Sequence, residues 1–529
     1  MTLIKSISGI RGTIGGKVND GLTPIDAVKF AAAYGTWLIQ QSSSEKVKVV
    51  IGRDARISGP MISDLVVSTL IGLGIDVINL GLSTTPTVEI AVPLENANGG
   101  IILTASHNPK QWNALKLLNN KGEFISGKDG EEVLHIAENE LFDFCDVDHI
   151  GTVIHDDSYL QKHIDAILAL ALVNIPAIKK ANFKIVVDAV NSSGGIFVPA
   201  LLKALGVEQV IELYCDPTGE FPHNPEPLPA HLVDLSNKIV ETKADFGLTV
   251  DPDVDRLAFV CEDGSMFGEE YTLVAVADYV VSKTPGATVS NLSSTRALRD
   301  ITEAKGQLYA AAAVGEVNVV AKMKEIKAVI GGEGNGGIIY PELHYGRDSL
   351  VGVALFLTHL AQMDVTVAAL RASYPQYYMS KNKIELTPQI DVDAILKALI
   401  ETYKTENIST IDGVKIDFPT EWVHLRKSNT EPIIRIYTEA PTQAEADSFR
   451  KWINTPPQTG YKCPDGRNLI AAPGRNFQGP CFKAAWAKFA SSFKSGAATT
   501  PAATTATTPS QDYYVSQPNP SLEAAYSDV

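Results

Sequence analysis

Short apolar runs alternate with amphipathic runs along most of the chain. Residues 47–51 form one apolar run, residues 60–73 carry apolar side chains at helical spacing, and residues 77–80 are apolar again. This order is typical of the strand–helix–strand unit, in which a helix connects two neighbouring parallel strands. The pattern therefore predicts an α/β fold.

The same pattern restarts further along the chain. Apolar strands that end in polar loops and lead into helix-like sequence recur at residues 49–54, 185–191 and 289–295. This recurrence predicts three α/β domains of similar architecture. After about residue 371 the pattern changes to short strands between residues 422 and 437, and then to a helix that begins at Thr442, with Glu445 completing a capping box. We expect a smaller α+β domain there.

The segment after residue 454 has a different composition. Residues 497–509 consist of Ala, Thr and Pro, a composition that buries too little apolar surface to form a core. Residues 483–494 place three aromatic side chains at helical spacing beside three lysines; a short docked or frayed helix is favoured over a membrane-surface or partner helix. The predicted units are three α/β domains, one α+β domain and a disordered tail, at residues 1–150, 151–257, 258–371, 372–453 and 454–529.

Composition and charge narrow the class of protein. At 529 residues, with 45% hydrophobic and 20% charged residues, the chain is typical of a multidomain globular protein. A formal net charge of −16 argues against a sequence-independent nucleic-acid surface, which needs clustered Lys and Arg. No signal peptide is expected, and the longest apolar run, residues 166–173, is far shorter than the roughly 20 residues of a membrane span. Five scattered cysteines without metal spacing favour a reduced, cytoplasmic protein.

The first loop that carries chemistry follows the apolar run 101–103. Residues 104–109 read Thr-Ala-Ser-His-Asn-Pro, so the strand ends in a turn. Ser106 then lies at the carboxyl end of a strand, where open α/β sheets bind ligands. A Ser–His hydrolase with His107 is disfavoured, because neighbouring side chains of an extended segment point to opposite faces and no Gly-x-Ser-x-Gly elbow is present. From this hexapeptide alone, a plain turn is an equal alternative.

The second loop, Asp-Pro-Asp-Val-Asp-Arg at residues 251–256, separates two apolar runs. Carboxylates at a spacing of two can converge on one hard cation, and Mg²⁺ characteristically binds a few carboxylates and a phosphate oxygen. An EF-hand does not fit, because Arg256 occupies the position of the turn glycine and a hydrophobic strand follows. An acidic turn between strands is the remaining alternative. The predicted metal ligands are Asp251, Asp253 and Asp255.

The third loop reads Gly-Gly-Glu-Gly-Asn-Gly-Gly at residues 331–337 and formally matches Gly-x-Gly-x-x-Gly. A dinucleotide site is disfavoured, because residues 338–341 read as a strand ending in Pro and offer no helix N-terminus to a pyrophosphate. Glu333 and Asn335 instead offer a carboxylate and an amide on a backbone that a ligand can approach closely, which suits sugar hydroxyls. A flexible glycine loop is an equal alternative.

The fourth loop lies within residues 426–435. It supplies a guanidinium, hydroxyls, an amide and turn N–H groups, a set suited to phosphate, although a hairpin turn with a charged flank is an equal alternative. Its candidate residues are Arg426, Ser428, Asn429 and Thr430. A hydroxyl nucleophile, a divalent metal site, a sugar-binding loop and a phosphate-binding loop are together the components of phosphoryl transfer to and from a sugar phosphate.

In these motifs the chain resembles the α-D-phosphohexomutase superfamily, which includes phosphoglucomutase/phosphomannomutase and phosphoglucosamine mutase. The resemblance runs in order from about residue 4 to about residue 453 and includes Gly-Ile-Arg-Gly at residues 9–12 and Gly-Arg-Asp-Ala-Arg-Ile-Ser-Gly at residues 52–59. It implies three similar α/β domains and a smaller α+β domain around a central cleft. It also implies an isomerase, an intramolecular phosphotransferase that uses Mg²⁺ and a hexose 1,6-bisphosphate, with a hexose phosphate as its small-molecule partner.

The resemblance implies roles for individual residues. Ser106 would carry the phosphoryl group in the resting enzyme, and its phosphate would complete the Mg²⁺ site of the three aspartates. The residues implied in proton transfer or transition-state charge are Arg11, His107 and Lys116. The expected substrate-binding residues are Arg256, Glu333, Asn335, Arg426, Ser428, Asn429 and Thr430.

The third loop departs from the commonest form of the superfamily. Many relatives end this loop in histidine, as Gly-Glu-x-Ser-Gly-His, whereas Asn335 and Gly337 stand here. We therefore take His344, seven residues further on, as a hypothetical proton-transfer residue. The loop resembles that of archaeal-type phosphoglucosamine mutases, so glucosamine phosphate is the first expected substrate and phosphoglucomutase/phosphomannomutase activity is the alternative. A non-catalytic sugar-phosphate-binding protein is disfavoured, because it has no use for a nucleophile beside a metal site.

Overall fold

The computed structural model of the chain describes residues 2–6, 9–44, 46–386, 392–427, 433–454, 470–472 and 475–477. Four units follow one another, each built on its own β-sheet. Helices and strands alternate in the first three units, and the fourth is smaller and antiparallel. The predicted class, three α/β domains followed by an α+β domain, is confirmed.

The first unit is a seven-stranded sheet with four α-helices. Its elements are β1 (Ile4–Ser6), β2 (Gly9–Thr13), α1 (Pro24–Gln41), β3 (Lys48–Arg53), α2 (Gly59–Gly72), β4 (Asp76–Leu82), α3 (Thr85–Leu94), β5 (Gly99–Leu103), β6 (Trp112–Leu118), α4 (Gly127–Glu138) and β7 (Val153–His155). The sheet order is β1-β2-β6-β5-β3-β4-β7. The helix predicted at residues 60–73 is α2, and the strands predicted on either side of it are β3 and β4.

The second and third units are four-stranded sheets flanked by helices. The second contains α5 (Tyr159–Leu168), α6 (Ile175–Ala181), β8 (Lys184–Asp188), α7 (Gly194–Leu205), β9 (Gln209–Leu213), α8 (Val233–Thr242), β10 (Phe246–Val250) and β11 (Leu257–Cys261). The third contains α9 (Glu269–Lys283), β12 (Thr288–Asn291), α10 (Ala297–Ala304), β13 (Tyr309–Ala312), α11 (Glu316–Ile326), β14 (Ile330–Glu333), β15 (Gly337–Ile339), α12 (Ser349–Met363) and α13 (Val367–Ser373). Strand β11 extends the second sheet past the boundary predicted at residue 257, because β10 and β11 form one hairpin.

The three α/β units share one arrangement of four strands. Their orders are β4-β3-β5-β6, β9-β8-β10-β11 and β13-β12-β14-β15. In each, the first three strands are parallel and the fourth returns antiparallel beside the third. The polar-ended strands that suggested a repeat are β3, β8 and β12, the first strand of each set. The loop between the third and fourth strands occupies the same position in every unit, and these loops hold Ser106, the three aspartates and Asn335.

The fourth unit is an antiparallel sheet with two helices. Its elements are β16 (Tyr378–Glu385), α14 (Val392–Thr402), β17 (Asn407–Ser409), β18 (Val414–Asp417), β19 (Trp422–Lys427), β20 (Ile433–Ala440) and α15 (Gln443–Asn454), with the sheet order β16-β20-β19-β18-β17. The Thr442 hydroxyl accepts a hydrogen bond from the Glu445 backbone at 3.2 Å, as the predicted cap requires. Beyond α15, the hairpin of β21 (Ile470–Ala472) and β22 (Arg475–Phe477) lies within the predicted tail. The predicted helical segment 483–494 lies outside the described residues.

A continuous hydrophobic core joins the second and third units. Helix α12 is buried along most of its length and packs against α9 of its own unit and α6 of the second. The stacked rings of Phe259 and Phe356, one from each unit, are part of this core. Among the described residues, no single helix has the length and apolar composition of a membrane span; α12 and α13 meet that criterion only as a sharply bent pair.

Buried polar contacts join the fourth unit to the third. The Ser293 hydroxyl lies 2.9 Å from His424 Nδ1, and His424 Nε2 lies 2.7 Å from the Asp412 carbonyl oxygen. The Asp412 carboxylate also accepts a hydrogen bond from the Val314 backbone at 3.1 Å. Burial and the charges of nearby cations lower the pKa of His424 to about 4. The neutral imidazole is therefore part of the folded junction.

We expect this junction to weaken in mild acid. Because the unfolded chain protonates His424 near pH 6.5 and the folded chain only near 4, the stability present above pH 6.5 is lost as the pH falls through this window, by up to about 3 kcal/mol. Urea unfolding between pH 7 and pH 4.5 measures this dependence. His424→Gln should flatten it, and an equally steep dependence in that variant would contradict the assignment.

Candidate active site

Ser106 lies where the buried strand β5 ends. Its backbone N–H donates to the Thr104 hydroxyl at 2.9 Å, and that hydroxyl donates to the Asp54 carboxylate at 2.6 Å. These bonds hold Ser106 at φ 49°, in the left-handed region that residues other than glycine seldom adopt. The Ser106 hydroxyl is buried and donates to Asp251 Oδ2 at 2.7 Å. The structure thus brings the predicted nucleophile and a predicted metal ligand into direct contact.

The side chain of Arg56 holds the serine loop in place. It is fully buried, and its Nε donates to Asp54 Oδ2 at 3.0 Å. Its two terminal nitrogens donate to four carbonyl oxygens of the loop, those of Ser106, Asn108, Pro109 and Trp112. The ring of Phe221, from the second unit, covers the guanidinium at 5.1 Å. All five guanidinium donors are used on one side chain and one loop, so Arg56 fixes the conformation of that loop.

The three aspartates converge, as predicted. Asp251 Oδ1 accepts the backbone N–H groups of Asp255 and Arg256, each at 3.1 Å, which curls the loop around its own first carboxylate. All three carboxylates are fully buried, and each offers an oxygen within 4.8 Å of the others. Within the part of the chain that the structure describes, no donor reaches Asp253 Oδ1 or Asp255 Oδ1, although both oxygens are buried. Buried carboxylate oxygens without donors suit a hard divalent cation, so these residues fit a Mg²⁺ site.

Lys116 neutralises part of this negative charge. Its ammonium group donates to Asp253 Oδ2 at 2.6 Å and to Asp255 Oδ2 at 3.1 Å. Burial opposes the charged form of Lys116, but the two carboxylates outweigh it and raise its pKa. Burial likewise opposes ionised Asp255, and Arg347, Lys116 and Arg256 outweigh it, so its pKa is lowered. Burial and the other two aspartates raise the pKa of Asp251 well above its ordinary value.

Two further predicted residues, His107 and Arg11, contact the serine loop. His107 Nδ1 lies 3.4 Å from Ser106 Oγ, so the expectation that the two side chains point to opposite faces is wrong. The reason is the left-handed backbone of Ser106, which ends the extended geometry on which that expectation rested. Burial and the charges of Arg256 and Arg11 lower the pKa of His107 well below its ordinary value. Arg11 donates to Asn108 Oδ1 at 3.3 Å.

The polar side chains of the third loop, residues 331–337, form hydrogen bonds within the protein. Glu333 Oε1 accepts from Asn291 Nδ2 at 2.8 Å and from the Gly315 backbone at 3.1 Å. Glu333 Oε2 accepts from Arg347 at 3.1 Å and from Asn335 Nδ2 at 3.4 Å. Glu333 is buried and Asn335 is partly exposed. Of the two candidates, Asn335 therefore has the more accessible side chain.

His344 contacts two buried carboxylates, those of Glu89 and Asp348. Its Nδ1 lies 3.4 Å from Glu89 Oε2, and its Nε2 lies 3.3 Å from Asp348 Oδ2. Asp348 also accepts a hydrogen bond from Nε2 of the buried His163 at 2.9 Å, and it caps helix α12 by accepting from the Leu350 backbone N–H. His344 is thus part of a polar contact between the first and third units. Its role in proton transfer stays a prediction.

The fourth loop is described only at its start. Arg426 Nε lies 3.0 Å from Asp412 Oδ2, and Asp412 is the residue that also binds the third unit through Val314. Arg426 is therefore held at the junction of the third and fourth units. Ser428, Asn429 and Thr430 lie outside the described residues.

Three buried residues that organise the site were not predicted from the sequence. Arg56 lies within a motif that was recognised, and its sequence gave no indication of its loop contacts. Arg347 and Thr85 lie outside every motif: Arg347 donates to Asp255 Oδ2 at 2.8 Å, and Thr85 donates to Asp253 Oδ2 at 2.5 Å. Thr85 is separated from Asp253 by 168 positions in the sequence, and Arg347 is separated from Asp255 by 92 positions. One sequence carries no pattern that would reveal such contacts.

The chain matches all four domains of one family along its described length. Residues 3–143, 161–264 and 268–378 match the alpha/beta/alpha domains I, II and III of phosphoglucomutase/phosphomannomutase, and residues 382–454 match the C-terminal domain. Together with the serine and its aspartates, these matches define the class, a phosphohexomutase, which is an isomerase and an intramolecular phosphotransferase. The chain belongs to the phosphoglucomutase/phosphomannomutase family.

Individual relatives carry different substrate names. A phosphoglucomutase/phosphomannomutase of Thermococcus kodakarensis is 34% identical over 442 residues, 83% of this chain and 96% of the relative. A phosphoglucosamine/phosphogalactosamine mutase of Sulfurisphaera tokodaii is 32% identical over 83% of this chain and 96% of the relative. A crystal structure of a phosphoglucomutase/phosphomannomutase family protein from Burkholderia thailandensis has a TM-score of 0.72 at 26% identity, covering 85% of this chain and 95% of that chain.

Proposed function

We propose that this enzyme moves a phosphoryl group between the 1 and 6 positions of a hexose phosphate, with Ser106 as the covalent carrier, and that glucosamine phosphate is its preferred substrate. The observation that carries the proposal is the contact of the Ser106 hydroxyl with Asp251, at 2.7 Å, inside a buried set of three aspartates. A nucleophile that must carry a dianionic group is best placed where a cation can neutralise that group.

The chain's own residues supply the charge around the carrier. Asp251, Asp253 and Asp255 would hold Mg²⁺, which when bound neutralises negative charge on the phosphoryl oxygens. Lys116 fixes two of the three aspartates through hydrogen bonds at 2.6 and 3.1 Å. Arg256 ends the same loop, with its Nε 4.0 Å from Asp251 and 3.9 Å from Asp255, and would contact the phosphate.

The reaction consists of two phosphoryl transfers. In the first, the bond between phosphorus and Ser106 Oγ breaks while the free sugar hydroxyl forms a bond to phosphorus, and the hydroxyl loses its proton to a nearby base. His107 is a candidate base, because burial and its arginine neighbours keep it neutral. The resulting 1,6-bisphosphate reorients, and Ser106 Oγ forms a bond to its other phosphorus while the bond from that phosphorus to the sugar oxygen breaks; the protonated base returns its proton to that oxygen. Arg11 would neutralise charge that develops on the transferred group.

Binding of the sugar phosphate falls to the third and fourth loops. Asn335 and Glu333 are the proposed partners of the sugar hydroxyls, and Arg426 with residues 428–430 is the proposed partner of the phosphate that does not react. The form of the third loop supports glucosamine phosphate, as does the relative from Sulfurisphaera tokodaii. The relative from Thermococcus kodakarensis supports glucose and mannose phosphates as the alternative.

The test is a coupled assay of kcat/KM for the phosphates of glucosamine, glucose and mannose, with Mg²⁺ and a hexose 1,6-bisphosphate activator. We expect the highest kcat/KM for glucosamine phosphate and no turnover after Mg²⁺ is removed with a chelator. A higher kcat/KM for glucose or mannose phosphate would overturn glucosamine phosphate as the preferred substrate and support phosphoglucomutase/phosphomannomutase activity. Absence of turnover with all three sugars would overturn the proposed function and favour a non-catalytic sugar-phosphate-binding protein.

A further inference from the structure

Arg347 connects the metal loop to the sugar loop through one guanidinium. It follows β15 in the third unit and is buried. Its two terminal nitrogens donate to Asp255 Oδ2 at 2.8 Å and to Glu333 Oε2 at 3.1 Å. Its Nε and backbone N–H donate to the two carboxylate oxygens of Glu316, at 2.9 and 3.2 Å. A planar guanidinium held at every edge transmits a shift of one carboxylate to the others.

The contacts of Glu333 make it sensitive to a ligand. A carboxylate has about four acceptor positions, and Glu333 already accepts four hydrogen bonds, from Asn291, Gly315, Arg347 and Asn335. A sugar hydroxyl that binds Glu333 must therefore displace or share one of these donors. The two hydrogen bonds to Oε2 come from Arg347 and Asn335, and together they are longer than the two bonds to Oε1. Sugar binding at this carboxylate would consequently alter the hydrogen bonding of Arg347.

Gly337 provides the room for Arg347. A Cβ atom at position 337 would lie 2.3 Å from Arg347 Cδ and 3.0 Å from Arg347 Cγ. These atoms lie in the middle of a side chain whose far end is held by three carboxylates, so they have little freedom to move aside. The glycine that distinguishes this loop from the histidine-containing form is thus the residue over which Arg347 passes.

We propose that Arg347 is a positioning residue that couples sugar-phosphate binding at residues 331–337 to metal binding at residues 251–256. The inference rests on the proposed function, because that function places the two ligands at these loops. When the sugar engages Glu333, Arg347 adjusts its contact with Asp255 and so changes the affinity of the aspartates for Mg²⁺. By thermodynamic reciprocity, Mg²⁺ changes the affinity for the sugar phosphate by the same factor.

Titration calorimetry of Mg²⁺ with and without saturating glucosamine 6-phosphate tests the coupling without relying on turnover. In the wild-type protein we expect the Mg²⁺ dissociation constant to change about 5-fold or more. In Gly337→Ala, which keeps every charged group, we expect a factor near one. The matched control is Gly130→Ala on α4, where a Cβ meets no atom of the described residues within 4 Å, and this variant should keep the wild-type factor.

A second variant guards against a failure of Gly337→Ala to fold. Arg347→Lys keeps the positive charge but lacks the planar fork that reaches several carboxylates, so the coupling factor should again fall toward one. A wild-type factor in a folded Gly337→Ala or Arg347→Lys variant would overturn the inference. A wild-type protein that turns over substrate and shows no coupling would overturn the inference alone, whereas a protein that binds no hexose phosphate would overturn the proposed function as well.

Discussion

Ser106→Ala is expected to lower mutase turnover by at least about 10⁴-fold, because it removes the only atom proposed to carry the phosphoryl group between the two transfers. Intact-mass measurement of the purified wild-type protein should show one added phosphate, and the variant should show none. The stability cost should be about 1–3 kcal/mol, since the hydroxyl donates a hydrogen bond to the Asp251 carboxylate and lies 3.4 Å from His107 Nδ1. Turnover, mass and urea unfolding measured on one preparation separate the loss of chemistry from a loss of folding.

Ser63→Ala is the matched control. Ser63 lies on α2 in the same unit and is as buried as Ser106, at 5% exposed surface. This variant should keep both the phosphate and the turnover. Retention of the phosphate in Ser106→Ala would place the covalent carrier on another residue, and retention of the turnover would show that no covalent carrier is needed.

The positions of the functional loops were predictable because they follow from strand patterns. Each lies between an apolar strand and the antiparallel strand that returns beside it, as between β5 and β6 or between β10 and β11. Turn-forming residues at a strand end are visible in the sequence, and the spacing of the three aspartates already favours a common target. The convergence of Asp251, Asp253 and Asp255 was predicted correctly for this reason.

What could not be predicted depends on contacts between distant parts of the chain and on unusual backbone geometry. Ser106 has a positive φ, which a serine in the sequence does not predict. This geometry brings His107 Nδ1 to 3.4 Å from the Ser106 hydroxyl. Glu333 was predicted as a sugar contact, and this stays a prediction; the sequence did not reveal that donors from three other segments, including Gly315 and Arg347, bind its oxygens. The availability of a side chain depends on its whole surroundings, whereas a motif records only its neighbours in sequence.

Arg56→Ala is expected to lower the free energy of unfolding by about 3–5 kcal/mol. It should also lower turnover by about 10²-fold or more, which is the loss expected when a nucleophile is misplaced. The variant leaves the buried Asp54 carboxylate without its cation. It also leaves the carbonyl oxygens of the serine loop without donors. Without these hydrogen bonds, the loop loses the contacts that stabilise the strained φ of Ser106 and keep its hydroxyl within hydrogen-bond distance of Asp251. Urea unfolding and steady-state kinetics measure the two effects.

Two variants distinguish loop positioning from charge alone. Arg56→Lys retains the ion pair with Asp54, but an ammonium cannot donate to four carbonyls in the plane that a guanidinium spans, so turnover should stay low while much of the stability returns. Lys110→Ala removes an exposed cation of the same loop, which pairs with Glu220 at 2.6 Å, and should cost less than about 1 kcal/mol. If Arg56→Lys restored full turnover, the charge beside Asp54 would be sufficient and the carbonyl contacts would have no part in placing Ser106.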